Sequence, residues 1–360
     1  MSSPHPVLLG VATGEETPPI PDEAEFLRSA LEHRMAAEVL GAVEEGRLEL
    51  SPATSISLGA AILAERRRHD GYWQAIADVE NRLASLGAQV AVMKGVATES
   101  RWYDAPGHRV CTDVDLLLDP AALGMVDEVI AVLTVERART ALQPLVDRHL
   151  LQHVDLRLGT IPVDLHFDPL KAGLRTRQIE EVWASTTRLA VDHGAVRVLS
   201  PEVELVLLLL HLNKDGFAYL GSLLDIRQLV TRAALDWDRL RSFVSAEGLD
   251  VPVWRSLALI DELLGLGLDP SGLGPSGGGW RTKTWDLIWK RAVLGGHEAR
   301  ERAPGRQRLM PMHFTGRNRE VVRELRRQIL PHRHLVELAG RMDPHESYVG
   351  YIFDRLRRRA

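Results

Sequence analysis

The chain has 360 residues, 45% hydrophobic and 26% charged, the composition of a folded protein long enough for a sizeable core and two domains. A net charge of −5 gives no reason to expect a nucleic-acid partner, and the single cysteine, Cys111, excludes an internal disulfide and any multi-cysteine metal site. No apolar run approaches the roughly 18 residues of a membrane span, and no basic segment leads into an apolar one at the N-terminus, so no membrane contact is expected and the expected location is cytoplasmic.

Residues 1–22 hold several Pro, Gly and Ser and are expected to be loosely ordered. From Asp22 to Glu45, Phe26, Leu27, Ala30 and Leu31, then Met35, Ala37, Val39 and Leu40, recur near the helical period. Ser51 and Pro52 read as the N-cap and first turn of a further helix. A long amphipathic segment follows from Ser55 to Leu86, with Gly87 as its stop. The charge run Glu65 to Asp70 within it reads as a solvated helix face. These helices, 23–87, are expected to pack on a core spanning 88–199.

That core opens with a buried strand, Ala88 to Met93, running into Lys94-Gly95 and a short helix to Tyr103. After a turn at 104–108, a second strand covers Asp113 to Asp119. Side chains alternate along a strand, so Asp113 and Asp115 share a face while Val114 and Leu116 enter the core. Two carboxylates side by side repel unless a cation lies between them, and hard cations take oxygen ligands. The pair is therefore a candidate metal platform; its other reading is the polar face of a half-buried strand. Pro120 starts a helix through about Glu136. Leu150 to Leu158 and Ile161 to Phe167 form a hairpin across Gly159-Thr160. Asp164, His166 and Asp168 share a face there, which offers a third carboxylate to complete the metal site if this strand lies next to the Asp-x-Asp strand. His153, Asp155 and Arg157 share a face on the first arm; the solvated side of an antiparallel pair is one reading of that face and the one taken for Arg157.

From Ser200-Pro201 onward the chain reads as helical: a start at Ser200 with a core-like run Leu205 to His211, then Leu220 to Ala234, Trp237 to Ala246 and Val253 to Gly265. Residues 270–279 read as a Gly/Pro/Ser-rich loop. The tail 296–360 carries fifteen Arg against eight acids and reads as a basic face that is solvated or docks on acidic parts of the chain, with contact to an anionic ligand or nucleic acid as the other reading. Residues 200–360 are expected to form a C-terminal helical domain with this basic tail.

Met93-Lys94-Gly95, Arg109, Asp113-Val114-Asp115-Leu116-Leu117 and Val163-Asp164-Leu165-His166, in this order, resemble the bacterial uncharacterised nucleotidyltransferase family of the polymerase β-like superfamily. His211, Leu224-Asp225-Ile226 and Asp236-Trp237 fall where that family has its helical domain. The resemblance covers roughly residues 25–350. It implies an α+β fold: a small mixed-sheet nucleotidyltransferase core flanked by N-terminal helices and a C-terminal helical domain. It implies transfer of a nucleoside monophosphate from an NTP, with ATP the expected donor, to a small molecule, peptide or protein. It implies Asp113, Asp115 and Asp164 as catalytic residues that hold Mg²⁺ or Mn²⁺, with Lys94, Gly95, Arg109, His166 and Lys214 at the nucleotide. One departure stands out: the superfamily places Gly-Ser on the helix after the first strand, and this chain has Lys94-Gly95-Val96. Lys94 then either neutralises phosphate or forms a salt bridge to Asp113 or Asp115. Arg109 is likewise either a phosphate contact or a structural ion pair. The alternative to catalysis is a nucleotide- or partner-binding protein on the same fold.

Overall fold

The chain begins with α1 (Pro6–Thr13), α2 (Glu23–Glu32), α3 (Ala36–Glu44) and α4 (Pro52–Ala84). The computed structural model describes residues 6–286 except 16, 18, 135–140, 171–173, 193 and 269–279. The expected loop 270–279, the basic tail 296–360 and the end of the helix expected to reach Glu136 lie outside the described residues.

The N-terminal stretch expected to be loosely ordered contains α1, because Val7, Leu8, Val11 and Ala12 bury themselves in the same core as the C-terminal helices. The periodic segment Asp22 to Glu45 divides in two. Asp22 caps α2 by accepting from Ala24 and Glu25 N–H, and Arg34 then turns left-handed (φ 61°) and breaks the helix. Ser51 caps α4 by accepting from Thr54 N–H. The segments on either side of Ser55 form one helix of 33 residues, about 50 Å at 1.5 Å per residue. Gly87 stops the chain after it (φ 65°), with Ala88 N–H returning to Leu83 C=O.

The chain continues with β1 (Val90–Met93), α5 (Gly95–Trp102), β2 (Val114–Leu118), a 3₁₀ turn (Pro120–Met125), α6 (Val126–Leu133), α7 (Gln143–Asp147), β3 (His153–Leu158) and β4 (Ile161–His166). The continuous helix expected from Pro120 starts instead as that 3₁₀ turn. The helical pattern resumes only after Met125 leaves helical geometry (φ −131°). Then come α8 (Ile179–Ala184), β5 (Thr187–Val191), β6 (Gly194–Val198), α9 (Pro201–Lys214), α10 (Leu220–Arg232), α11 (Trp237–Ala246), α12 (Asp250–Leu264) and α13 (Trp280–Trp285). The β5–β6 hairpin was not foreseen: its short, mostly exposed arms carry little apolar alternation.

Among the described residues the strands form one six-stranded mixed sheet, ordered β3-β4-β2-β1-β6-β5. β1 runs antiparallel to β2 and parallel to β6, and β2 runs parallel to β4. The architecture is α+β, a mixed sheet flanked by helices, as expected. One sheet face carries Val90, Val92, Val114, Leu116, Leu118, Val163 and Leu165 into a core closed by the second half of α4 and by α6. On the other face Ala91, Met93 and Leu117 enter the core shared by the N- and C-terminal helices. β2 is buried along its whole length. Its second face is polar only at Asp115, and that is where the candidate site lies.

Candidate functional site

Register sets the site. On the parallel β2–β4 ladder Asp115 is the direct partner of Asp164, and on the antiparallel β3–β4 ladder Asp164 is the direct partner of Asp155. Three carboxylates thus stand in one row across three adjacent strands. One step along, His153 partners His166. The ligand atoms of Asp115, Asp164 and His166 lie within 4.8 Å of one another, a span that a cation with bonds of about 2.0–2.2 Å closes with small side-chain shifts. Asp115 is 8% and His166 0% exposed, so the pair is buried at the inner end of this row. His166 Nε2 is 2.8 Å from Asp115 Oδ1, which fixes the carboxylate's orientation. Asp113 stands just before the strand, half-buried, and its carboxylate accepts from the Thr112 hydroxyl at 3.1 Å.

The turn that feeds α5 lies beside this row. Met93 is the register partner of Asp115, so the next residue, Lys94, emerges at the site. Its ammonium is 3.5 Å from Asp115 Oδ1, and the residue is only 6% exposed. The salt bridge foreseen as one reading of Lys94 is present. The backbone there is unusual: Lys94 has φ 46° and ψ −155°, and Gly95 has φ 43°. Lys94 sits near a region that glycine alone adopts readily, at a cost of order 1–3 kcal/mol. Lys94→Gly relieves that strain but takes the ammonium away from the buried Asp115 carboxylate, so the variant is expected to be somewhat less stable and to bind any triphosphate at this turn more weakly. Thermal melting and nucleotide titration of the one variant check both halves.

Buried polar bonds attach α5 to the helices around it. Glu204 on α9, 1% exposed, accepts from the Thr98 hydroxyl at 2.6 Å, the Arg101 guanidinium at 2.6 Å and the Trp102 indole at 3.2 Å. Asp225 on α10 accepts from the Tyr103 hydroxyl at 2.7 Å and takes the Arg109 fork at 2.9 and 3.0 Å. Burial by itself disfavours the Arg109 charge. The Asp225 carboxylate outweighs that and holds the guanidinium well above its ordinary pKa. The remaining Arg109 nitrogen is 3.2 Å from Cys111 Sγ. Two of the three nitrogens of Arg109 are thus held by Asp225, the structural ion pair foreseen as its second reading. Burial pushes the Cys111 thiol up to about 12, which makes it an unreactive core group.

Glu99 fixes the loop between α5 and β2. It is 2% exposed, and its Oε1 accepts from Gly107 N–H at 2.8 Å and Arg109 N–H at 3.0 Å. Gly107 (φ 87°) lies so close to α4 that a Cβ there would meet Ile62 C=O at 2.5 Å, so only glycine fits. His69, read in the sequence as part of a solvated charge run, is instead buried: it faces the Ser100 hydroxyl at 3.1 Å and Glu99 at 3.5 Å. Glu65 is buried with it, while Arg66, Arg67, Arg68 and Asp70 are exposed, because only one face of α4 turns toward α5. Burial pushes Glu99 up to about 7. A carboxyl raised in the folded state binds its proton more tightly there than in the unfolded chain. Its stabilising contribution is complete below about pH 4.5 and is lost as pH rises through about 7. Stability measured by urea unfolding is expected to fall across that window, and Glu99→Gln to flatten the fall.

The other expected residues fall elsewhere. Lys214 is exposed at the end of α9, close enough to help hold the Asp215 pKa low. Asp168 accepts from Leu170 N–H at 2.9 Å and the Thr176 hydroxyl at 2.6 Å, which closes the turn after β4. His153 and Asp155, whose shared face the sequence left open, form a second group of possible ligands with Asp164. Their alignment was hidden in the sequence because it depends on the hairpin register.

Residues 20–265 match the model of a protein family described as uncharacterised nucleotidyltransferase. No curated protein matches the chain. A solved structure, an antigenic nucleotidyltransferase-like protein from Paracoccidioides brasiliensis, is similar over 54% of this chain and 88% of that one, at 18% identity and a TM-score of 0.34. Among the described residues no helix is long and apolar enough to cross a membrane.

Proposed function

The chain belongs to the uncharacterised nucleotidyltransferase family, and from that premise we propose that it is a metal-dependent enzyme moving a nucleoside monophosphate from an NTP to a small-molecule, peptide or protein acceptor. The observation that carries this reading is the convergence of Asp115, Asp164 and His166 on one sheet face beside the Lys94–Gly95 turn. The donor set, carboxylate oxygens with one imidazole, suits a divalent cation. Asp115 and Asp164, with Asp113 at the mouth, would hold Mg²⁺ or Mn²⁺, which when bound supplies neutralising charge at the phosphates and a lower pKa for a ligated hydroxyl.

The chain's own residues do the rest. An acceptor hydroxyl attacks the α-phosphorus, the bond to pyrophosphate breaks, and Asp164 takes the hydroxyl proton. Lys94 leaves Asp115 for the triphosphate, and the α5 N-terminus offers its N–H groups at Gly95 without a side chain in the way. His166 keeps Asp115 oriented. Arg109, held by Asp225, shapes the loop behind Gly95 and adds positive charge from there. Lys214 reaches the triphosphate only if α9 and the bound nucleotide approach each other, and we assign it the weaker, outer contact. ATP is the first donor to try.

A second reading, a nucleotide-binding protein without transfer, draws on Lys94-Gly95-Val96 standing where the superfamily has Gly-Ser, with Lys94 at ion-pair distance from Asp115. Calorimetric titration with ATP, GTP, CTP and UTP, with and without Mg²⁺, tests both. Mg²⁺-dependent binding of at least one triphosphate supports the site, and slow release of pyrophosphate from that complex separates transfer from binding. Binding of none sinks both.

A further inference from the structure

The row of carboxylates extends beyond the site just described. Asp155 and Asp164 are direct cross-strand partners, and like charges placed opposite each other on a ladder destabilise it. At the inner end of the row Asp115 has the Lys94 ammonium beside it. At the outer end, among the described residues, the ion-pair partner of Asp155 is His153, whose Nε2 is 3.4 Å from Asp155 Oδ1. That separation is the edge of a tetrahedron with bonds of about 2.1 Å, the length of zinc–nitrogen and zinc–oxygen bonds. The His153 ring stacks on the buried His166 ring, centroids 5.3 Å apart and planes 22° from parallel, with its Nε2 toward Asp155. The ligand atoms of His153, Asp155 and Asp164 all lie within 4.8 Å of one another.

We propose that His153, Asp155 and Asp164 form a second cation site that takes a borderline divalent transition ion such as Zn²⁺. Asp164 has two oxygens and gives one to each side of the row. An imidazole in the ligand set favours zinc, manganese or cobalt over magnesium, which prefers oxygen. Asp155 is 81% and His153 41% exposed, so an ion enters directly from solvent and completes its shell with water. Occupancy pins the Asp164 carboxylate and cross-links β3 to β4 within the hairpin. The site stands whether or not the chain transfers nucleotides.

The test is calorimetric titration of the full chain with Zn²⁺, without nucleotide, alongside His153→Gln, Asp155→Asn and Asp115→Asn. The wild type is expected to bind one equivalent, weakened at least tenfold by each of the first two substitutions and retained in Asp115→Asn. Equal Zn²⁺ affinity in the wild type, His153→Gln and Asp155→Asn would overturn the proposal, as would equal loss in all three variants or no binding by the wild type. Should Asp115→Asn not fold, the histidine ring signals of the wild type during the Zn²⁺ titration make the same distinction: those of His153 should shift before those of His166, and the reverse order overturns the site. No nucleotide enters either experiment, so its failure and that of the transfer reading are separable.

Discussion

Asp115→Asn should lower Mg²⁺-dependent triphosphate affinity by more than the roughly 10–100-fold that loss of a mere outer hydrogen bond to a metal ligand costs. Asp115 is the inner end of the carboxylate row and touches both His166, at 2.8 Å, and Lys94, at 3.5 Å. Asparagine keeps the shape and one acceptor oxygen but removes the charge on which a hard cation depends. The substitution also leaves a 6% exposed ammonium without its carboxylate, so some stability is expected to go with it. Titration of the variant with and without Mg²⁺ distinguishes the effects. A site that works through Asp115 loses the metal-dependent increment and keeps the metal-independent one. If the increment survives intact in a folded variant, the carboxylate row is structural and the transfer reading fails.

The largest effect on stability is expected at a residue far from this row. Asp225→Ala leaves the Arg109 guanidinium buried without its partner: their side chains are 14% and 5% exposed, and two of the bonds Asp225 accepts come from the Arg109 fork. Breaking such a pair from one side costs roughly 3–5 kcal/mol, because the charge that remains is still out of water. The Tyr103 hydroxyl loses its acceptor too, and with it a link between the end of α5 and α10. The double variant Arg109→Met/Asp225→Ala is expected to recover part of that loss, since removing both charges removes the uncompensated one. Urea unfolding of Asp225→Ala, Arg109→Met and the double variant decides it. A double variant less stable than the sum of its single changes would show that the pair does not behave as a buried ion pair.

Much of this molecule was legible in its sequence for a simple reason: local pattern encodes which face of an element is buried. The apolar runs at Val90 to Met93 and Val114 to Leu118, the turn at Gly159-Thr160, the caps at Ser51 and Ser200 and the sharing of one face by Asp164 and His166 are all properties of neighbours in the chain. Spacing of two on a strand and three to four on a helix is enough to read them. The order of these motifs also carried the family.

What the tertiary structure alone decided is which distant groups meet. Arg109 and Asp225 are 116 residues apart, and Thr98 and Glu204 are 106 apart. No local period distinguishes an arginine that meets phosphate from one held by a carboxylate on another helix. The alignment of Asp155, Asp164 and Asp115 depends on two ladder registers at once, one parallel and one antiparallel; a one-residue slip in either would move a carboxylate to the opposite face. Likewise His69 and Glu65 read as solvent-facing until α5 packs against that side of α4. Burial there is set by an element elsewhere in the chain, so the sequence fixes the groups available to the site, and packing fixes which of them face one another.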